Sequence, residues 1–282
     1  MLRKRYAGMA VAAIITMVVI WARLFHPTWD YYPPDGLVNS LERSWFVAAS
    51  VRDLAIFVYL VVALGMMTAF FSVLQHRWAL HAGLKGLLYG TSLGVIWAFG
   101  FLTGWAFLGT TLRAEILNCL IDLTGLAAAG CFVGLMLGQD SLSAPREISK
   151  PWLAVVFVGL GFVAVHTLGS VVFAVPFGET ADLLLRPRSS LQYGLLVALG
   201  AWAGQMFVML RHTLPFKSVV MRSAFFAFGV FGHSWLWFHL FFVIEFSGVF
   251  ATTVLTGLMG SVGVFVGIVA YEWTAGDGRP AP

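Results

Sequence analysis

The chain has 282 residues, of which 60% are hydrophobic and only 11% are charged, and its mean hydropathy is +0.87. Soluble domains contain roughly 45–50% apolar and 25% charged residues, so this composition excludes a water-soluble fold. The net charge of +4 reflects 17 Lys and Arg against 13 Asp and Glu, an excess too small to indicate a nucleic-acid partner. The sequence therefore predicts an all-α, multi-pass membrane protein surrounded by a lipid bilayer.

Stretches that lack Asp, Glu, Lys and Arg predict the membrane spans, because about 20 apolar helical residues cross roughly 30 Å of hydrocarbon. Eight spans are predicted, near residues 7–25, 53–74, 84–108, 115–138, 152–175, 191–210, 221–246 and 249–271. The longer loops on the outer side are expected at 26–52 and 176–190.

The distribution of basic residues predicts the orientation. Eleven Lys and Arg fall on the side that holds both predicted ends of the chain, and six fall on the other side. The side richer in Lys and Arg is expected to be cytoplasmic. Both termini are therefore predicted to lie in the cytoplasm, and the expected location is the cell inner (plasma) membrane.

Several short segments in the first half of the chain have a matching segment in the second half, and the separation between the two members of each pair is nearly constant. They are GCFVG at 130–134 and GVFVG at 263–267, His76 and His212, and Gly94 with Trp97 and Gly232 with Trp235. The pattern predicts two four-helix membrane repeats, 1–140 and 151–282, joined by a cytoplasmic linker at 141–150. Because each half has an even number of spans, the repeats would run parallel to each other. The alternative is chance, since Gly, Phe and Val are frequent throughout the chain.

Two glycine pairs predict close helix packing. Gly130 and Gly134 share one helix face, as do Gly263 and Gly267, because residues four apart are neighbours on a helix. Such faces allow two backbones to approach closely in lipid. In the duplicated arrangement we expect the two glycine faces to meet near the axis that relates the halves, and a substrate groove is the alternative interpretation.

Ionisable side chains inside the spans are the candidate functional residues, because they are costly in hydrocarbon and face the bundle interior. They are Asp122, His166, His233, His239 and, near the outer boundary, Glu245. At about 1.5 Å per residue, Asp122, His166 and His239 are predicted at one depth in the outer half, with His233 near the midplane. A carboxylate beside imidazoles favours a proton relay or a cation pathway. The alternative is that a nearby Ser, Thr or backbone carbonyl satisfies each group.

No catalytic residue and no metal site is predicted, because the phosphate-loop, zinc-protease, dinucleotide and serine-hydrolase motifs are all missing. No cofactor is expected, but His166 and His239 at similar depths leave a b-type haem open. The favoured function is a permease or channel for a small solute or ion. The alternatives are a non-catalytic subunit or assembly factor of a larger membrane complex and, third, an intramembrane redox or lipid enzyme. A membrane-protein partner or a second copy of the chain stays open.

Overall fold

The computed structural model describes residues 41–140, 150–185, 187 and 189–275, without the side chains of 174–185. The helices of this part of the chain are α1 (Trp45–Ala48), α2 (Arg52–Leu74), α3 (Ala82–Leu108), α4 (Leu112–Leu137), α5 (Pro151–Leu185), α6 (Ser190–Leu210), α7 (Val219–Glu245) and α8 (Phe250–Thr274). Seven of them, α2 to α8, are long and apolar enough to span a membrane. The predicted membrane class is confirmed. The first predicted span, 7–25, and most of the linker, 141–149, lie outside the described residues.

Local sequence signals explain where several helices begin and end. Gly109 follows α3 and Gly248 lies between α7 and α8, with φ angles of 70° and 73°. Glycine adopts this left-handed conformation without the steric penalty that a Cβ imposes. The α6 helix begins with a capping box, in which Ser189 and Gln192 exchange side-chain to backbone hydrogen bonds.

The α5 helix is longer than the sequence predicts. The predicted end lies near residue 175 and is followed by a predicted loop at 176–190, and Pro176 disfavours a helical conformation in the residue before it. In the structure the helix continues through Pro176 to Leu185. Pro176 lacks the N–H that would donate within the helix, and the helix continues on both sides of it.

The α3 and α4 helices pack through glycine faces. A Cβ added to Gly86 would lie 2.7 Å from the Cα of Gly134, and one added to Gly130 would lie 2.8 Å from the Cα of Gly90. Real Cβ atoms essentially never come so close to another atom. Only glycine therefore permits this separation of the two backbones.

The second glycine face packs in the same way against a different helix. A Cβ on Gly263 would lie 2.7 Å from the Cα of Phe162, and one on Gly267 would lie 2.5 Å from the Cα of Val158, both in α5. Close packing is thus found at both predicted faces. The expectation that the faces meet each other is wrong, because each has its own partner helix.

The two groups of helices, α2–α4 and α5–α8, contact each other through α3 and α7. The α2 helix packs against α7, α6 packs against α3, and α3 also touches α7. Hydrogen bonds cross these seams from Tyr59 Oη to the Trp237 carbonyl (2.5 Å), from Trp202 Nε1 to the Ser92 carbonyl (3.1 Å) and from Trp97 Nε1 to the Ser234 carbonyl (3.2 Å). These three aromatic side chains thus join the two groups of helices through hydrogen bonds.

A buried lysine joins three helices at the end of the bundle where α2 and α4 finish, which we call the basic end. Lys85 is fully buried, and its Nζ donates to the carbonyls of Gln75 (2.9 Å) and Gln139 (2.6 Å). The Gln139 N–H donates in turn to Gln75 Oε1 (2.9 Å). This Lys85 cluster ties the start of α3 to the ends of α2 and α4.

A buried glutamate joins three helices of the other group at the basic end. Arg211 donates two hydrogen bonds of 2.8 Å to the fully buried carboxylate of Glu272. Arg222 donates to the same carboxylate, with Nη2 2.8 Å from Oε2. This Glu272 cluster ties the start of α7 to the ends of α6 and α8.

We predict that Gly130→Ala and Gly267→Ala each lower the free energy of unfolding by about 1–3 kcal/mol, because the new methyl group forces two backbones apart. Gly65→Ala is the matched control, since no atom lies within 4 Å of its Cβ position. Thermal unfolding in detergent measures the difference. Equal stability of all three variants would contradict the packing.

We predict that Glu272→Gln destabilises the protein by roughly 3–5 kcal/mol, because it leaves two nearly buried guanidinium groups without their carboxylate. Asp53→Asn is the control, since this carboxylate is 60% exposed and 3.8 Å from Arg52. Unfolding by denaturant should leave the control near wild type. An unaffected Glu272→Gln protein would show that the cluster contributes little.

Candidate functional site

Three cavities inside the bundle hold most of the predicted site residues. The first, the Asp122 cavity, has a volume of about 40 Å³ and lies between α2, α3, α4 and α7. The second, the His239 cavity, measures about 70 Å³ and is lined mainly by α3, α7 and α8, with one residue each from α5 and α6. A third, the bridging cavity, measures about 10 Å³. Polar side chains in an apolar bundle thus face small spaces between the helices.

The Asp122 cavity combines a carboxylate with an imidazole. Asp122 and His233 are both nearly fully buried, and both line this cavity with Ser234. The indole rings of Trp97 and Trp237 form part of its wall. Their N–H groups are already engaged, with the Ser234 carbonyl and with Met66 Sδ respectively.

The His239 cavity contains the other two histidines. His166 and His239 line it together with Thr103, Thr253 and Thr256. The imidazole of His239 contacts the Trp235 ring edge to face, with 4.2 Å between the centroids. His166 stacks on Phe162 at 6.2 Å.

The bridging cavity shares walls with both of the others. Leu60, Trp97 and Asp122 line it and the Asp122 cavity. Phe238 lines it and the His239 cavity. Phe238 is thus common to the walls of the bridging and His239 cavities.

Two histidines have a defined tautomer. Nδ1 of His233 lies 2.6 Å from the Gly229 carbonyl, and Nδ1 of His239 lies 2.9 Å from the Trp235 carbonyl. A carbonyl oxygen only accepts hydrogen bonds, so each Nδ1 carries the proton. In the neutral ring, Nε2 is then left as a proton acceptor.

Depth along the helices predicts that Asp122, His166 and His239 lie together, and the structure does not group them in this way. Asp122 shares its cavity with His233, whereas His166 and His239 occupy the next one. Counting residues predicts depth but not rotation about the helix axis. The alternative was that a nearby group in the same helix would satisfy each ionisable side chain. Nδ1 of His233 and Nδ1 of His239 do bond a backbone carbonyl of their own helix.

Glu245 lies apart from the cavities. Its carboxylate accepts a 2.6 Å hydrogen bond from Arg52 Nε, which links the end of α7 to the start of α2. On the same side, Gln192 of α6 donates to the Ala106 carbonyl of α3 at 2.9 Å. Both contacts connect the two groups of helices, and Glu245 lines none of the three cavities.

Three threonines in the wall of the His239 cavity were not among the predicted site residues, because only ionisable side chains were considered. Thr253 and Thr256 are buried and line the His239 cavity, as does the partly buried Thr103. The i, i+3 spacing of Thr253 and Thr256 in an apolar span is the signal that could have found two of them.

The described residues include no group of three or more His, Cys, Asp or Glu side chains arranged to hold a metal ion. Comparison with protein-family models, with curated proteins and with solved structures finds no match for the chain.

We predict that the purified protein has no Soret absorption band. Ligand pockets usually measure about 300–1,000 Å³. The space beside His166 and His239 is only about 70 Å³ and therefore has no room for a haem macrocycle. A Soret band that disappears in His239→Ala would contradict this expectation.

Proposed function

We propose that this chain is a multi-pass permease or channel that moves a small solute or ion through the bundle, with Asp122, His233, His239 and His166 along its path. The observation that carries the proposal is the row of three cavities with shared walls, which contain these four side chains. Ionisable groups within membrane spans are typical of substrate pathways and proton relays.

The order of the cavities supports a stepwise path. A proton or small solute would pass from His233 and Asp122 to the bridging cavity, and then past Phe238 to His239 and His166. Nε2 of each histidine with a defined tautomer can accept a proton, and Asp122 offers a carboxylate between them. The gap at Phe238 would have to open during transport, which alternating or transient access allows.

Transport through paired halves is further supported by the two polar clusters at the basic end. Their members occupy corresponding positions in the two halves of the chain. The pairs are Gln75 and Arg211, Lys85 and Arg222, and Gln139 and Glu272. The two members of each pair are separated along the chain by nearly the same interval as the short sequence matches. Each cluster also joins the same three helices of its half, which supports two parallel four-helix repeats at 1–140 and 151–282.

A local irregularity in α7 adds to this argument. Trp97 and Trp235 are separated by one position more than Lys85 and Arg222 are. Between Arg222 and Trp235, α7 forms a π-helical segment at Phe225–Phe231. A π-turn holds one residue more than an α-turn, so it accommodates a one-residue insertion while the rest of the helix keeps its orientation. This agreement supports a common origin of α3 and α7.

The positive-inside rule supports a cytoplasmic location for the basic end and for both termini, in the plasma membrane. The buried Lys85 and Glu272 clusters would then close the cytoplasmic side. The His239 cavity would lie in the outer half of the membrane. A solute entering from outside would therefore meet His239 and His166 first.

The test is uptake into proteoliposomes that contain the purified protein, with a panel of small solutes and an imposed pH gradient. We expect saturable uptake of at least one solute, and we expect Asp122→Asn to lower the rate about tenfold, since one lost charge-assisted contact is worth about 1.5–3 kcal/mol. Asp53→Asn, at an exposed carboxylate, is the matched control.

Unchanged uptake by correctly folded Asp122→Asn would remove this residue from the path. A protein that carries no solute and co-purifies in mild detergent with a stoichiometric membrane partner would instead favour the subunit or assembly-factor function.

A further inference from the structure

The His239 cavity offers more hydrogen-bond acceptors than donors. Thr103 Oγ1 donates its proton to the Gly100 carbonyl (2.7 Å), Thr253 Oγ1 to that of Val249 (2.6 Å) and Thr256 Oγ1 to that of Thr252 (2.8 Å). A hydroxyl has one proton and two lone pairs. Each of these oxygens, which already donates to its own helix, can meet a solute only as an acceptor.

The histidines and the tryptophan of this cavity complete its inventory of donors and acceptors. His239 uses its Nδ1 proton on the Trp235 carbonyl, so the neutral ring has only the Nε2 lone pair left. His166 also lines the cavity, and its neutral ring brings one N–H donor and one acceptor nitrogen. The indole N–H of Trp235 is a second donor, but it lies against Gly260, which is not among the residues that line the cavity. Acceptor atoms thus outnumber donors in the wall, beside the faces of aromatic rings.

The Asp122 cavity has the same polarity. The N–H groups of Trp97, Trp237 and His233 are bonded to the Ser234 carbonyl, to Met66 Sδ and to the Gly229 carbonyl. The carboxylate of Asp122 adds acceptor oxygens. Among these polar groups, only the Ser234 hydroxyl can either donate or accept a hydrogen bond.

From this polarity we propose that the solute is a small cation of the ammonium type, such as ammonium or a short protonated primary amine. Its N–H groups match the acceptor oxygens and Nε2, and its charge is attracted by the aromatic walls and by Asp122. A space of about 70 Å³ admits a molecule of only a few non-hydrogen atoms, since a cavity of roughly 10–15 Å³ on the same measure holds one water. An anion such as acetate would meet more lone pairs than N–H groups in this wall and is therefore disfavoured.

This inference rests on the proposed transport function, and the experiment separates the two. Uptake of radiolabelled methylammonium, acetate and rubidium is measured at mildly acidic pH in proteoliposomes and in empty liposomes. We expect saturable uptake of methylammonium alone. Uptake of acetate or rubidium in preference to methylammonium would overturn the solute class and leave transport intact.

The Thr253→Val/Thr256→Val variant removes two acceptor oxygens and keeps the side-chain shape. We expect it to raise the half-saturation concentration for methylammonium about tenfold, since two hydrogen bonds are worth about 1–3 kcal/mol. Thr253→Ser/Thr256→Ser should restore uptake, because it keeps the hydroxyls. Thr274→Val is the matched control, since Thr274 makes the same bond to its own helix (2.7 Å, to the Ala270 carbonyl) but is exposed.

Binding is measured separately, as a methylammonium-dependent change in tryptophan fluorescence. Binding that weakens in the valine variant, without transport, would contradict the permease function while supporting the solute class. Methylammonium uptake and binding that are the same in the valine variant and in wild type would overturn the inference.

Discussion

A polar atom buried in a membrane bundle can be satisfied only by a partner inside the protein, because lipid offers none. Lys85 and Glu272, both fully buried, have such partners at the basic end, where each joins three helices through hydrogen bonds no longer than 3.2 Å. Leaving either charge unpaired would cost several kcal/mol. These two clusters therefore fix how the helices of each group come together, and the glycine faces of α4 and α8 then set how closely they pack.

The same constraint determines the chemistry of the cavities. The Thr253 hydroxyl and the His233 ring donate their protons to backbone carbonyls of their own helix, and the Trp237 indole donates to Met66 Sδ. Most of the polar atoms that are left facing the cavities are therefore acceptors, beside aromatic faces and the carboxylate of Asp122. Under the proposed transport function, this excess of acceptors favours a solute that brings donors of its own.

Much of the architecture could be predicted from the sequence, because hydropathy reports directly on the cost of burying charge in lipid. The span that contains Trp97 and the span that contains Gly263 agree with the structure to within a few residues. Rotation about each helix axis was not predictable, and it separated Asp122 from His166 and His239. Helix pairing was also missed, since nothing local to Gly130 or Gly267 says which backbone approaches it. The end of α5 was predicted ten residues too early, because the stretch without ionisable residues ends before Glu179 while the helix runs on to Leu185.

Hydroxyl-radical footprinting of the protein in lipid nanodiscs distinguishes buried polar groups that face small hydrated cavities from buried polar groups in dry packed seams. Met67 and Met206 are both nearly inaccessible from outside, with 2% and 1% of their surface exposed, but only Met67 lines one of the three cavities. Water held in the Asp122 cavity would generate radicals beside Met67. We expect oxidation of Met67 with Met206 protected, whereas equal protection of both residues would show that the polar groups lie in dry seams.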